Sequence, residues 1–253
     1  MKINRIEQIH ELLKKQHSIS INDLCDTFGV SKNTIRRDVA ELENTGIIRK
    51  VYGGIVLKEE ESGTPEPFAY REGRNVKAKK QVAQLAAEQV QDGDVIYIDS
   101  GTTTMHMIPY LSKRRYLTIV TASVHVINAA DGFTGLNIIA TGGTLYMPSK
   151  AFVGPSVLSA LQSYNLSKVF LASTGISIPH GATNASPLEC EIKRSLAQKN
   201  AETYLLVDST KFGKASLMTY CQLSDLDSLI TEKEPDKEYT DYFEKHNVRL
   251  ILP

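Results

Sequence analysis

Seven short apolar runs recur between residues 95 and 252: Val95 to Asp99, Leu117 to Thr121, Leu136 to Ala140, Lys168 to Ser173, Tyr204 to Asp208, Ser228 to Thr231 and Val248 to Leu252. Helical patterns fill most of the gaps between them. Adjacent parallel strands need a crossover long enough to hold a helix, so this alternation predicts an α/β domain with a mainly parallel sheet covered on both faces. Ligands of such sheets bind outside the carboxyl ends of the strands. The chemistry of this part of the chain should therefore lie where each apolar run turns polar.

The first 57 residues follow another pattern. Ile6, Ile9, Leu12 and Leu13 form one amphipathic stripe, and the Ile19 to Phe28 segment supplies a second short helix through Ile21, Leu24, Cys25 and Phe28. Gly29 suits the positive φ of a tight turn, and Ser31 is placed as the N-cap of a third helix. That helix carries Lys32, Asn33 and Thr34 on its opening turn and Arg36 and Arg37 beyond, while Ile35, Val39 and Leu42 pack inward. Small polar residues facing base edges, with cations one turn later near phosphates, describe a recognition helix in a helix-turn-helix. Downstream, Gly46 to Val56 reads as two short strands around a glycine-bearing turn, a wing that offers Arg49, Lys50 and Tyr52 to the backbone or minor groove.

Charge supports local rather than general affinity for nucleic acid. The chain carries 29 Lys and Arg against 29 Asp and Glu, but residues 1 to 58 hold ten cations against seven acids. So modest an excess suits a homodimer or homotetramer that gains affinity by multivalency. Cys25, Cys190 and Cys221 are widely spaced, which indicates neither a disulfide framework nor a metal site. No apolar run reaches membrane-spanning length, and the N-terminus, amphipathic and containing acids, is unlike a signal peptide, so a cytoplasmic protein is expected. The polar, acidic, proline-bearing stretch from Lys58 to Pro67 marks a linker, taken as residues 58 to 74 between a first domain at 1 to 57 and a second at 75 to 253. The basic residues Arg71, Arg74, Lys77, Lys79 and Lys80 read as a solvated helix face, with a contribution to DNA affinity or to subunit packing as the alternative.

At the strand ends, Asp99, Ser100, Gly101, Thr102, Thr103 and Thr104 pass directly into a helical segment. A glycine that admits close approach, several hydroxyls and the N–H groups of a helix start together suit a phosphate. Other strand ends supply Gly142 with Gly143, Gly175, and Asp208 with Lys211. Glu189 and Lys193, four residues apart, share one helical face and suit either a ligand or an ordinary intrahelical ion pair. The lysines would pair with phosphate or carboxylate, and Asp99, Glu189 and Asp208 would accept from sugar hydroxyls.

The run VSKNTIRRDVAELENTGIIRKVYGG, within Ile19 to Gly54, resembles the N-terminal domain of the DeoR family of bacterial transcriptional repressors. Asp99 to Thr103, Gly142-Gly143, Gly175, the Glu189 to Lys193 segment and Asp208 to Gly213 resemble that family's sensor domain, itself similar to the ribose-5-phosphate isomerase fold. The resemblance implies a DNA-binding repressor of a carbohydrate-catabolism operon, released from operator DNA by a phosphorylated sugar. The stretches KVYGG, IDSGTTT and YLLVDSTKFGK are most similar to the inositol-catabolism branch, which implies a phosphorylated keto-acid sugar derivative.

The same fold similarity raises a sugar-phosphate isomerase as the rival. Such isomerases carry aspartates in the loop that corresponds to Ser173 to Ser177, whereas this chain has no Asp or Glu between Val169 and Leu188. Binding without turnover is therefore expected, with no cofactor and no catalytic residue. A further alternative, an activator that answers to no effector, would need the same DNA contacts.

Overall fold

The computed structural model describes residues 2–16, 18–44, 48–57 and 68–253, and the chain divides into two compact units, 1–74 and 75–253. In the first unit, α1 (Lys2–Gln16) is followed by β1 (Ser18–Ser20), α2 (Ile21–Phe28), α3 (Lys32–Asn44), β2 (Ile48–Val51), β3 (Gly54–Leu57) and α4 (Phe68–Gly73). Ile9, Leu13, Leu24, Ile35, Val39, Leu42, Ile48 and Ile55 form one buried core beneath three helices and a three-stranded sheet of order β1-β3-β2.

Two expectations are corrected here. Ile19 does not open the first helix of the helix-turn-helix; it lies on β1, paired antiparallel with Ile55, and α2 starts two residues later because the Ser20 hydroxyl accepts from the Asp23 N–H at 3.0 Å. This third strand requires Gly54, since a Cβ there would fall 2.5 Å from the Ile19 carbonyl oxygen. The linker reading also fails for residues 68 to 73, which are helical, with Phe68 and Tyr70 buried and Tyr70 meeting His10 edge-on at 4.6 Å. Two aromatic rings in six residues are too apolar to stay in water. The rest of that linker, 58 to 67, and Gly46 and Ile47 of the wing reading lie outside the described residues.

The second unit runs α5 (Val76–Glu88), β4 (Val95–Ile98), α6 (Ile108–Leu111), β5 (Thr118–Thr121), α7 (Val124–Ala129), β6 (Asn137–Ala140), β7 (Thr144–Tyr146), β8 (Ala151–Val153), α8 (Pro155–Gln162) and β9 (Lys168–Ala172). It continues with β10 (Gly175–Ser177), β11 (Gly181–Asn184), α9 (Pro187–Ala197), β12 (Glu202–Leu206), β13 (Met218–Cys221), β14 (Ser228–Ile230), α10 (Lys237–Lys245) and β15 (Arg249–Ile251). The seven apolar runs are the seven strands of one parallel sheet, in the order β15-β14-β12-β9-β4-β5-β6.

Alternate residues of each strand face opposite sides, and both sides are covered. Val169 and Leu171 share one cluster with Val157 of α8, Leu196 of α9 and Phe243 of α10. Phe170, Ile96 and Ile98 share the other with Val82 and Ala86 of α5, Ile108 of α6 and Val126 of α7. Unforeseen are the hairpin β7–β8 and the small antiparallel sheet β10-β11-β13, both inserted between strands of the main sheet. Among the described residues no helix is long and apolar enough to cross a membrane.

Candidate functional site

The turn into α3 is built as the sequence requires. Gly29 takes φ +61°, and its N–H returns to the Cys25 carbonyl. The Ser31 hydroxyl accepts from the Thr34 N–H at 3.3 Å and lies 3.0 Å from the Thr34 hydroxyl, so these two side chains are committed to starting the helix. Lys32, Asn33, Arg36 and Arg37 face solvent while Ile35, Asp38 and Val39 face inward. Asp38 receives Arg5 Nε at 2.6 Å, tying α3 to α1 from the buried side. In the wing, Gly53 takes φ +79° between β2 and β3, leaving Tyr52 fully exposed at the tip with Arg49 and Lys50 behind it. Lys50 pairs with Glu43 of α3, but both side chains are largely solvated, so the pair is worth at most about 1 kcal/mol.

A second site forms at the carboxyl end of the main sheet. Asp99, directly after β4, is 2% exposed; its Oδ2 accepts the Ala172 N–H at 2.9 Å and is ion-paired with Lys193 of α9. Lys193, 4% exposed, also donates to the Ala172 carbonyl at 2.9 Å, an oxygen shared with the Tyr220 hydroxyl at 3.2 Å. Ser100 donates to Glu189 at 2.9 Å. Glu189 and Lys193 thus share a helical face, yet the contacts resolved for them reach different partners across the sheet edge. Burial pushes the Tyr97 phenol well above its ordinary value, with the Asp99 and Glu189 carboxylates adding to the shift, so Tyr97 stays neutral. Tyr220 moves the same way, by burial first and then by the nearby Cys221 and Asp99.

The loop of residues 99 to 104 departs from expectation in one respect. It does not pass directly into an α-helix but into a single 3-10 turn, Thr104–Met107, followed by the four-residue α6. The helix-dipole argument loses its force, and the loop is instead braced by the Thr104 hydroxyl donating to the carbonyls of Asp99, at 2.7 Å, and Gly101, at 3.0 Å. Gly101 is required by packing, since a Cβ would sit 2.3 Å from the Ala172 Cβ. Thr102 and Thr103 are nearly buried. His106, in the 3-10 turn, is kept toward neutral imidazole by burial and by Lys80 and Lys79 of α5. Lys79 is itself buried, so the basic stretch is not wholly a solvated face.

Asp208, after β12, is 1% exposed. Its Oδ1 accepts from the Thr210 N–H at 3.1 Å, from the Thr210 hydroxyl and from Asn75 Nδ2 at 3.3 Å, while its Oδ2 has no hydrogen-bond partner among the described residues. Lys211 closes the short turn that follows. Gly142 and Gly143 turn the chain from β6 to β7 with φ of +64° and +112°, and a Cβ on Gly143 would meet Val157 Cγ2 at 2.7 Å. Gly175 opens β10, where a Cβ would lie 2.8 Å from the Lys214 carbonyl oxygen. Asn75 and Asn184 were missed by sequence reasoning; Asn75 sits in a stretch that reads as basic surface, and Asn184 ends a strand, GATN, that carries no apolar run.

Comparison with known proteins covers both units. A family described as "DeoR-like helix-turn-helix domain" matches residues 5–61, and one described as "DeoR C terminal sensor domain" matches residues 74–233. The chain is 37% identical over 252 residues to the HTH-type transcriptional regulator IolR of Bacillus subtilis (strain 168), covering 100% of both. It is 30% identical over 247 residues to the lactose phosphotransferase system repressor of Staphylococcus aureus (strain N315), covering 94% of each. Among solved structures, ribose 5-phosphate isomerase A from Methanocaldococcus jannaschii aligns at 19% identity with a TM-score of 0.41, over 55% of each chain.

Proposed function

The chain belongs to the DeoR family of transcriptional regulators, and from that premise we propose that it represses a carbohydrate-catabolism operon and leaves its operator when a phosphorylated sugar binds the second unit. The observation that carries the proposal is the outward row Lys32, Asn33, Arg36 and Arg37 on a helix whose inner face is locked by a complete core and by the Arg5–Asp38 pair. In this reading Lys32 and Asn33 reach base edges, Ser31 and Thr34 shape the helix start, Arg36 and Arg37 meet phosphates, and Arg49, Lys50 and Tyr52 of the wing hold the flanking backbone.

The effector site comprises the loop from Asp99 to Thr104 with Glu189, Lys193, Asp208 and Lys211, framed by Gly142, Gly143 and Gly175. The loop takes the phosphate and the acids accept from sugar hydroxyls. No turnover is assigned, because the hairpin β10–β11 and the loop before it supply no acid. The stretches KVYGG, IDSGTTT and YLLVDSTKFGK, similar to the inositol-catabolism branch of the family, support a phosphorylated keto-acid sugar derivative as the effector. Paired copies in a dimer or tetramer, working in the cytoplasm, hold two winged helices on repeated half-sites. Whatever factor the sugar costs in operator affinity, the operator costs in sugar affinity.

The test is binding of the full-length protein to its own upstream DNA at fixed salt, followed by fluorescence anisotropy while sugar phosphates are titrated in. Specific binding reversed by one compound is expected. Specific binding indifferent to every compound would remove the effector from the mechanism, and absence of specific binding would remove the repressor.

A further inference from the structure

Asn184 closes β11 and brings the chain back to the carboxyl end of β9. Its amide oxygen accepts the Thr174 hydroxyl at 2.8 Å, which fixes the amide plane and turns the nitrogen away from Thr174. The residue is 8% exposed, and its Nδ2 is shielded from water with no hydrogen-bond partner among the described residues. An amide nitrogen carries two donors, and a buried donor left unpaired is costly enough that proteins seldom keep one without a use for it.

The position of this free donor gives it a use. Thr174 lies two residues beyond Ala172, whose N–H and carbonyl hold Asp99 and Lys193. On its other side, Asn184 stands two residues before Ser186, the N-cap of α9, whose first turn carries Glu189 bonded to Ser100. Chain connectivity therefore sets Asn184 between the segments that hold Asp99, Lys193 and Glu189, at the same end of the sheet. There, Lys193 is already occupied by Asp99 and Ala172, while Asp99 and Glu189 are acceptors. A sugar's own acceptor oxygens need a donor at that end, and a neutral, fixed amide meets the need without competing for the phosphate as a lysine would.

We infer that Asn184 is a specificity-determining residue, donating through Nδ2 to a carbonyl, carboxylate or hydroxyl oxygen on the carbohydrate part of a phosphorylated sugar. The inference rests on the reading of this end of the sheet as a sugar-phosphate site. Thr174 is its positioning residue, holding the amide in the orientation that presents the donor.

Isothermal titration of the full-length protein with pentose and hexose phosphates, their aldonate and keto-acid forms and monodeoxy analogues tests it on wild type, Asn184→Asp and Asn184→Ser. The compound that binds wild type best is expected to lose about tenfold in affinity in both variants. One analogue lacking the contacted oxygen is expected to bind all three proteins alike. Unchanged affinity of the best compound would overturn the role of Asn184 alone, as would a uniform loss across the series, which marks a structural role. Indifference of wild type to every compound would overturn the sugar-phosphate reading and this inference with it. Should both variants fail to fold, Thr174→Val frees the amide without removing it; a smaller loss confined to the same compounds is expected, and unchanged selectivity refutes the assignment.

Discussion

Replacing Lys193 by methionine keeps the unbranched stem of the side chain and removes its charged end, and its cost follows from the groups left behind. Lys193 joins Asp99 and the Ala172 carbonyl, and all of this lies out of water. In Lys193→Met the Ala172 carbonyl keeps the Tyr220 hydroxyl at 3.2 Å, so the backbone acceptor is not orphaned. The Asp99 carboxylate retains the Ala172 N–H at 2.9 Å but loses its counter-charge. Stranding one member of a buried ion pair costs about 3–5 kcal/mol. At about 2–4 °C per kcal/mol for a unit of this size, the melting transition of the second unit should fall by on the order of 10 °C, read by scanning calorimetry. Adding Asp99→Asn removes the stranded charge, and the double variant should regain more than half of the loss, because the two sites share one interaction. A Lys193→Met transition within about 2 °C of wild type would show that water reaches the pair and would refute the reasoning. A double variant as unstable as the sum of the single losses would refute the coupling.

Arg36→Ala should weaken operator binding and reduce the salt slope of log K by about one unit while leaving sugar-phosphate binding unchanged, whereas Thr102→Ala should do the reverse; anisotropy across a salt series and calorimetric titration read the two effects. Gly54→Ala should destabilise the first unit by about 1–3 kcal/mol, since its methyl group meets the Ile19 carbonyl, and a chemical-denaturation curve measures the loss. Burial alone would raise the Asp94 carboxyl, but Lys168, the Gln91 N–H and Ser167 outweigh it and hold it below its ordinary value of 3.8. A carboxyl depressed in the folded state contributes stability above its unfolded value and loses it as pH falls through the folded one. The melting temperature of the second unit should therefore drop below about pH 4, and Asp94→Asn should flatten that part of the profile.

The parts of the molecule that sequence shows plainly are those fixed by local pattern. Each strand of the main sheet is a short apolar run, which in all but β15 turns polar at its carboxyl end, and α3 is announced by Gly29, Ser31 and the spacing of Ile35, Val39 and Leu42. The parts it hides depend on partners far along the chain. Ser18–Ser20 becomes a strand only because Val56 and Ile55 are there to pair with it, and Thr144–Tyr146 is too short to signal anything without Ala151–Val153 beside it. The site divides in the same way. Spacing correctly put Glu189 and Lys193 on one face, but it could not show that Lys193 meets Asp99, 94 residues away, or that Glu189 meets Ser100, 89 residues away. Asn75 and Asp208 are separated by 133 residues, so no local pattern could have joined them.

The packing of the first unit also limits how a bound sugar can release DNA. Coupling between two ligands is worth about 1–3 kcal/mol, and a ligand shifts an equilibrium only by its differential affinity for the two states. Reshaping α3 would expose some part of Ile35, Val39 or Leu42, all buried, and break the Arg5–Asp38 contact. Losing the packing of even one such side chain costs about 2–5 kcal/mol, which is comparable to the whole coupling energy or larger. In the dimer or tetramer proposed above, the economical switch leaves α3 intact and changes the spacing at which two copies present it, where a half-site mismatch costs affinity without unfolding anything. Asn75 is the first residue of the second unit, and its side chain donates to Asp208 at 3.3 Å and to Thr210 at 3.2 Å. In the proposed effector site, a sugar hydroxyl donating to Asp208 Oδ2 would act one side chain away from Asn75.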